Sequence, residues 1–225
     1  MHAEMPPATR PRISLHFAQT LDGRIGLRGV RTPLSSAAGF ALAHRARAEN
    51  DAVLVGRATV QIDDPRLAVA APGSRQPRRI VLASALEISP DARVLVGGPG
   101  TLVIGVQGRP SAAVRARIVA TGAEVCLVPA GDDGLVSLAH ALALIREWGV
   151  ERLLVEGGSR VLSSFLRHRL ADEATIEIVP RLLGGDGLTA FDSIGVTALG
   201  HAVALEDARV ERAESSIVVR GRLAY

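Results

Sequence analysis

The sequence contains no lysine: all 26 of its basic residues are arginine. Schiff-base catalysis and a phosphate-binding P-loop lysine are therefore excluded, whatever the fold. Aromatic residues make up 3% of the chain, so the core must be aliphatic, and the stacking platforms that single-strand nucleic-acid binders use are largely missing. Cysteine occurs once, at Cys126. No internal disulfide can form, a reducing cytoplasmic setting is expected, and the neighbours Val125 and Leu127 mark Cys126 as a buried strand position. No apolar run approaches the roughly 18 residues of a membrane helix. The opening, residues 1–11, has no apolar centre and is read as a disordered start rather than a signal peptide. The pI of about 10.2 overstates a net charge of only +3. With the arginines scattered in ones and twos, no nucleic-acid partner is expected. His16, His44, His140, His168 and His201 are isolated from one another. The fragment His2-Ala3-Glu4 lacks the cysteine pair of a zinc deaminase, so no metal site is expected.

What remains is a chain of 225 residues, 48% of them hydrophobic, sufficient for one α/β domain over residues 12–225. Its most informative stretch runs from Val150 to Leu166. Arg152 to Val155 has the short apolar run of a buried parallel strand, and Gly157-Gly158 interrupts it. A helical pattern then puts Val161, Leu162, Phe165 and Leu166 on one face, with Ser159 as the expected cap. Glu156 therefore stands at the strand's carboxyl end, which in open α/β sheets faces the ligand crevice. The helix that follows directs free amides and the positive end of its dipole to the same place, where a phosphate can bind. An acid at a strand tip has little packing reason to be there, which makes Glu156 the candidate acid.

Elsewhere, Ile13 to Thr20 alternates as a strand, Leu21 to Gly23 turns, and Gly26 to Pro33 reads as a loop. Ser35 or Ser36 caps a helix reaching Glu49. Strands are expected at Asp51 to Gly56, Arg79 to Ala83, Thr101 to Val106, Glu124 to Val128 and Ala174 to Val179. Helices are expected at Arg57 to Ile62, Ser111 to Thr121 and Leu135 to Trp148. Ala202 to Arg212 and Ser216 to Leu223 have no helix between them, so they are expected to pair antiparallel at the edge of a mostly parallel sheet.

Several ordered blocks taken together resemble a known family. They are Thr20 to Ile25, Arg47 to Gly56, Thr59 to Leu67, Val155 to Gly158, and Leu170 to Glu173 through Pro180 to Gly185. In this order and spacing the chain resembles the riboflavin-biosynthesis pyrimidine reductase family, of dihydrofolate-reductase-like fold, in its stand-alone form. The resemblance implies NADPH-dependent reduction of the ribosylamino chain of a pyrimidine 5′-phosphate to a ribitylamino chain. It implies cofactor positions at Ala18, Leu34, Thr59, Asp63, Ser84 and the run Gly158, Ser159, Arg160, Val161, Leu162, Ser163 and Ser164. Substrate positions fall at Thr32, Arg47, Leu67 and Glu156. Ser84, near Arg78 and Arg79 in sequence, is expected to face the 2′-phosphate. Apart from the resemblance, the paired C-terminal strands with the apolar run Ile217-Val218-Val219 are expected to form a homodimer interface or, alternatively, to belong to the core. Taken alone, Thr32 and Thr59 are equally explained by capping, Arg47 by an exposed helix face, and Asp22 and Asp64 by turns. The sequence departs from the family's bifunctional members at His16, where they often have lysine, at Ala70, where they have arginine, and at Thr32 to Ser35, where they usually have tryptophan. Another NADPH reductase of the same fold, for instance of a dihydropterin, and a non-catalytic nucleotide-binding protein remain as alternatives.

Overall fold

The computed structural model describes residues 10–70, 73–97 and 100–225. Most of the segment expected to be disordered, residues 1–9, lies outside them. Arg10, by contrast, is buried and grips both carboxylate oxygens of Asp172 at 2.7 and 2.8 Å.

The chain opens with β1 (Arg12–Thr20) and β2 (Arg24–Leu27), then α1 (Ala37–Glu49), β3 (Ala52–Gly56) and α2 (Arg57–Asp63). Next come β4 (Arg78–Leu82), β5 (Thr101–Val106), α3 (Ala112–Val119), β6 (Glu124–Val128) and α4 (Leu138–Glu147). The last third holds β7 (Arg152–Gly157), α5 (Ser159–Arg167), β8 (Glu173–Val179), β9 (Gly187–Thr189), β10 (Ala204–Ala213) and β11 (Ser216–Ala224). Nine strands form one sheet in the order β10-β11-β8-β1-β7-β3-β4-β5-β6. The neighbours from β8 to β6 are all parallel, and β11 and β10 close the edge antiparallel, as expected from the missing helix between them.

β3 explains why the strands are apolar without interruption. All five of its residues are buried; Leu54 packs into a core shared with α4 and α5, and Val53 and Val55 into a second core with Val60 of α2 and Ile118 of α3. A strand covered on both faces has no solvent side to mark with polar residues. Each of its large side chains contributes about 1.5–3 kcal/mol of burial. β6 is an edge strand, and Cys126 on it is only half-buried, contrary to expectation. Ser36 caps α1, its Oγ accepting from the Gly39 amide at 3.2 Å. The topology puts β7 between β1 and β3 although the chain makes it after β6, so the helices leaving these three strands part around its carboxyl end.

The stretch read as a loop from Gly26 to Pro33 begins inside a strand: β2 and β9 form a separate two-stranded sheet. Asp22 fixes this approach. Its carboxylate accepts from Thr20 Oγ1 at 2.5 Å and from the amides of Leu183 and Gly184, the latter at 2.6 Å. These bonds, the Thr20 hydroxyl first, hold its carboxyl down at about 2, below the ordinary 3.8. A carboxyl lowered by folding stabilises the fold above pH 3.8, and that stabilisation is lost as pH falls toward 2. Asp22→Asn is therefore expected to weaken the acid dependence of stability in this window. Urea denaturation above and below the window checks it, and an unchanged slope sinks it. Among the described residues no helix is long and apolar enough to cross a membrane.

Candidate functional site

Glu156 emerges from β7 at the switch point and meets Arg47, which extends from the last turn of α1. Arg47 Nε and Nη2 donate to Oε1 and Oε2 at 2.7 and 2.8 Å, a fork-to-fork pair with both side chains largely buried. The third guanidinium nitrogen, Nη1, donates to Ala68 O at 3.1 Å and ties the loop after α2 to the pair. Burial works against the charge on Arg47, but the Glu156 carboxylate outweighs it and holds the guanidinium's pKa above its ordinary value. The two residues were expected as separate substrate contacts; the structure joins them.

His16 stands beside this pair. The register Leu15↔Val155 puts His16 next to Glu156 on the same side of the sheet. The ring is 7% exposed, and its buried Nδ1 has no hydrogen-bond partner. Burial is the main reason its pKa falls below the ordinary 6.5; Glu156 and Glu177 oppose the shift, and Arg47 and Arg220 support it. Since the unfolded chain binds the proton more readily, stability is full above pH 6.5 and declines as pH falls below it. His16→Asn is expected to flatten that decline, measurable by thermal unfolding on either side of pH 6.5; an equal decline in the variant contradicts it.

On the other side of Glu156, α5 starts without a side-chain cap. Gly158 is its cap residue, and Ser159, expected in that role, is instead the first helical residue, its buried Oγ without a partner. The first amides of α5 are thus left free for an acceptor from outside the helix. Gly158 also allows a close approach: a Cβ there would stand 3.3 Å from Thr59 Oγ1 of α2. At Gly56 a Cβ would meet Val161 Cγ2 at 2.7 Å, so α5 can lie against the β3–α2 turn only because that residue is glycine. Asp63, near the end of α2, has its carboxyl pushed up by burial, against the opposing charge of Arg31.

These groups border one cleft of about 1020 Å³. Of the expected substrate residues, Thr32, Arg47 and Glu156 line it. So do Ala18, Thr59, Asp63, Ser84 and, from the helix run, Gly158, Ser159, Arg160, Val161, Leu162 and Ser164. Three expected residues are not brought to it. Leu34 stays before α1. Leu67 is 2% exposed and borders a different cavity. Ser163 is fully buried, its Oγ donating to Ser159 O at 2.7 Å and accepting from the Asp192 amide at 2.8 Å. Its spacing from Ser159, Leu162 and Leu166 places it on the core side of the helix. Thr32 also keeps its local role, accepting from the Leu27 amide and donating to Val30 O.

Ser84 reaches the cleft, but the two arginines near it in sequence do not. Ser84 follows the carboxyl end of β4, whereas Arg78 and Arg79 begin that strand. Five residues at roughly 3.3 Å each separate Arg79 from Ser84 by about 16 Å. Arg78 stacks over Trp148 and donates to its carbonyl, and Arg79 faces away from the cleft. The cations that do line the cleft include Arg57, Arg109 and Arg160. The wall from Ala130 to His140, after β6, also escaped the sequence reading: it holds Gly131 and Gly134, but no motif there sets it apart from an ordinary strand-to-helix connection. Uncapped amides, a glycine approach and the apolar walls Ala18, Val161 and Leu162 together fit a phosphate-bearing dinucleotide.

The fold and site thus define a parallel α/β protein with its ligand cleft at the carboxyl ends of the central strands. Residues 11–219 match the family model described as the RibD C-terminal domain, and the chain belongs to that family. It is 37% identical, over 88% of its length and 91% of the relative's, to the 2,5-diamino-6-ribosylamino-4(3H)-pyrimidinone 5′-phosphate reductase of Methanothermobacter thermautotrophicus. It is 33% identical to the riboflavin biosynthesis protein RibD of Aquifex aeolicus, covering 93% of this chain and 57% of that one. The structure of Acinetobacter baumannii RibD superposes with a TM-score of 0.83 at 22% identity, over 96% of this chain and 59% of that one, a likeness of fold.

Proposed function

We propose that the protein reduces the ribosylamino side chain of a pyrimidine 5′-phosphate to a ribitylamino chain, with NADPH as reductant, in a riboflavin or related pathway. The observation that carries this reading is the Arg47–Glu156 fork in the same cleft as the uncapped start of α5. Membership of the RibD C-terminal domain family and the name of the Methanothermobacter relative support it. When bound, the nicotinamide supplies the hydride. Everything else falls to this chain's residues. The amides of Ser159 and Arg160 hold phosphate, Gly158 clears its path, and Thr59 and Asp63 line the same wall.

Glu156 was expected to act as the acid. Because both its oxygens accept from Arg47, its geometry is that of an acceptor. We place it as the group that takes hydrogen bonds from substrate N–H or O–H donors and stabilises the positive charge on the protonated imine to be reduced. Arg47 in turn holds that carboxylate in place. The proton needed at the imine nitrogen comes from water in the open cleft, and the neutral His16 ring offers a further polar contact. Reduction requires the sugar to be open and the reacting atoms to be held at about 3–3.5 Å, so positioning is the main demand on the site.

We place the enzyme in the cytoplasm, as its single cysteine suggests, and assemble it as a homodimer. The exposed Val210 and Ile217 on β10 and β11 support an interface at that edge, while Val218 is core. Light scattering of the purified protein checks the dimer. The activity test is the oxidation of NADPH by purified protein offered the ribosylaminopyrimidine 5′-phosphate in its amino and deaminated forms, with dihydrofolate alongside. Turnover of either pyrimidine sustains the proposal. NADPH binding without turnover of either removes it, and turnover of dihydrofolate alone assigns the fold a different substrate.

A further inference from the structure

A second cavity, of about 510 Å³, lies between the loop after α2 and the short turn Arg93–Leu95. Leu67, Val69, Pro77 and Val96 give it apolar walls, and its charged residues are Arg66, Arg79, Arg93 and one acid, Asp91. Arg79 is the unusual member. It is the second residue of β4, it is 6% exposed, and no carboxylate among the described residues pairs with it. Its Nη1 donates to Val96 O at 3.0 Å, while its Nε is buried without any partner. A guanidinium taken out of water without a counter-charge destabilises a fold and is rare unless something compensates it. Arg66 and Arg93, exposed at the mouth, form no ion pair among the described residues either.

We propose that this cavity is a second binding site, separate from the cleft, for a small phosphomonoester. Three guanidinium groups against one carboxylate leave two positive charges, the match for a phosphate that carries close to two negative ones. The volume lies within the range of roughly 300–1,000 Å³ typical of small-molecule sites, and the apolar walls suit an organic body attached to the phosphate better than a free ion. Planar nitrogen forks hold phosphate oxygens well, and Nη2 of Arg79, unlike its buried Nε, is left to offer because Nη1 alone is used by Val96 O.

The site is also connected to the cleft. Leu67 and Ala68 form its wall, and Ala68 O is the acceptor that holds Arg47 Nη1. Asp64, at the end of α2, accepts from the Arg93 amide at 2.8 Å and anchors the opposite wall. A ligand that draws in Arg66 therefore acts on the loop that positions the Arg47–Glu156 pair.

Ribose 5-phosphate, with ribose as the uncharged control, serves as the probe in calorimetric titrations of the full chain without NADPH. Binding is thus measured independently of whether the protein is a reductase. Saturable binding of ribose 5-phosphate is expected, with ribose silent. Arg79→Met is expected to weaken it at least tenfold and Arg66→Ala a few-fold. Arg66 is exposed, so its variant keeps the test valid even if the Arg79 variant folds poorly. Independent binding of ribose 5-phosphate and the pyrimidine 5′-phosphate supports the separate site, whereas competition between them that persists in both variants places the probe in the cleft and overturns it. Equal affinity in the wild type and both variants, or no saturable binding in the millimolar range, overturns the proposal.

Discussion

Replacing Glu156 with glutamine is expected to lower kcat on the order of a hundredfold while leaving NADPH affinity nearly unchanged. The size follows from what is lost. Glutamine keeps the shape and one acceptor, but it removes the charge that would stabilise a cationic imine; removing a single preorganised stabilising group costs roughly 10²–10³ in turnover. It also leaves Arg47, only 17% exposed, without its counter-charge. Breaking a buried pair from one side costs about 3–5 kcal/mol. The retained amide oxygen and the bond from Nη1 to Ala68 O place this substitution near the lower end. Arg47→Met leaves the opposite charge stranded and is expected to lose as much stability or more. Combining Arg47→Met with Glu156→Met removes both charges and should recover much of the stability, because the two residues act as one unit. It should recover no turnover. Denaturation midpoints and steady-state kinetics on the three variants separate the two contributions. If Glu156→Gln turns over like the wild type, Glu156 has no part in the reaction.

How much of this was legible in the sequence depended on whether a feature was local. The turn from β7 to α5 was, because an apolar run, two glycines and a helical stripe lie within one short stretch, and Glu156 follows from it. The edge pair β10–β11 was legible for the same reason. The partner of Glu156 was not: Arg47 lies 109 positions away, and nothing local indicates that the end of α1 reaches the tip of β7. β2 and β9, four and three residues long, pair across 160 positions or more and show too little alternation to be noticed. Ser84 and the two arginines show the opposite case, since nearness in sequence is not nearness in space along a strand that separates its ends. Gly39 belongs to a third kind. It lies in an alanine-rich helix, and a Cβ there would run into the buried Glu177 carboxylate of β8, so with that carboxylate in place α1 comes this close to the sheet because the residue is glycine. Such a requirement exists only once the two elements are together.

The cofactor assignment predicts a result complementary to that of Glu156. Gly158→Val is expected to lower NADPH affinity by tenfold to a hundredfold, about 1.4–2.8 kcal/mol, with little effect on binding of the pyrimidine nucleotide. Backbone strain is not the reason, since Gly158 has φ −73°, a value any residue adopts. The reason is space. The first side-chain carbon would already stand 3.3 Å from Thr59 Oγ1, and the two further methyl groups of valine must occupy the gap between α2 and the free amides of α5. Gly158→Ala fills less of it and should give an intermediate loss. Gly157→Ala provides the contrast. There φ is +103°, which an L side chain rarely adopts, and a Cβ would press on Leu162 at 3.3 Å. That change should appear as a loss of stability of about 1–3 kcal/mol before it appears in cofactor binding. Fluorescence titration with NADPH, alongside thermal unfolding, distinguishes the two positions. If Gly158→Val binds NADPH as the wild type does, the pyrophosphate does not lie at the start of α5. The uncapped helix would then need another ligand, and the buried Oγ of Ser159 another partner.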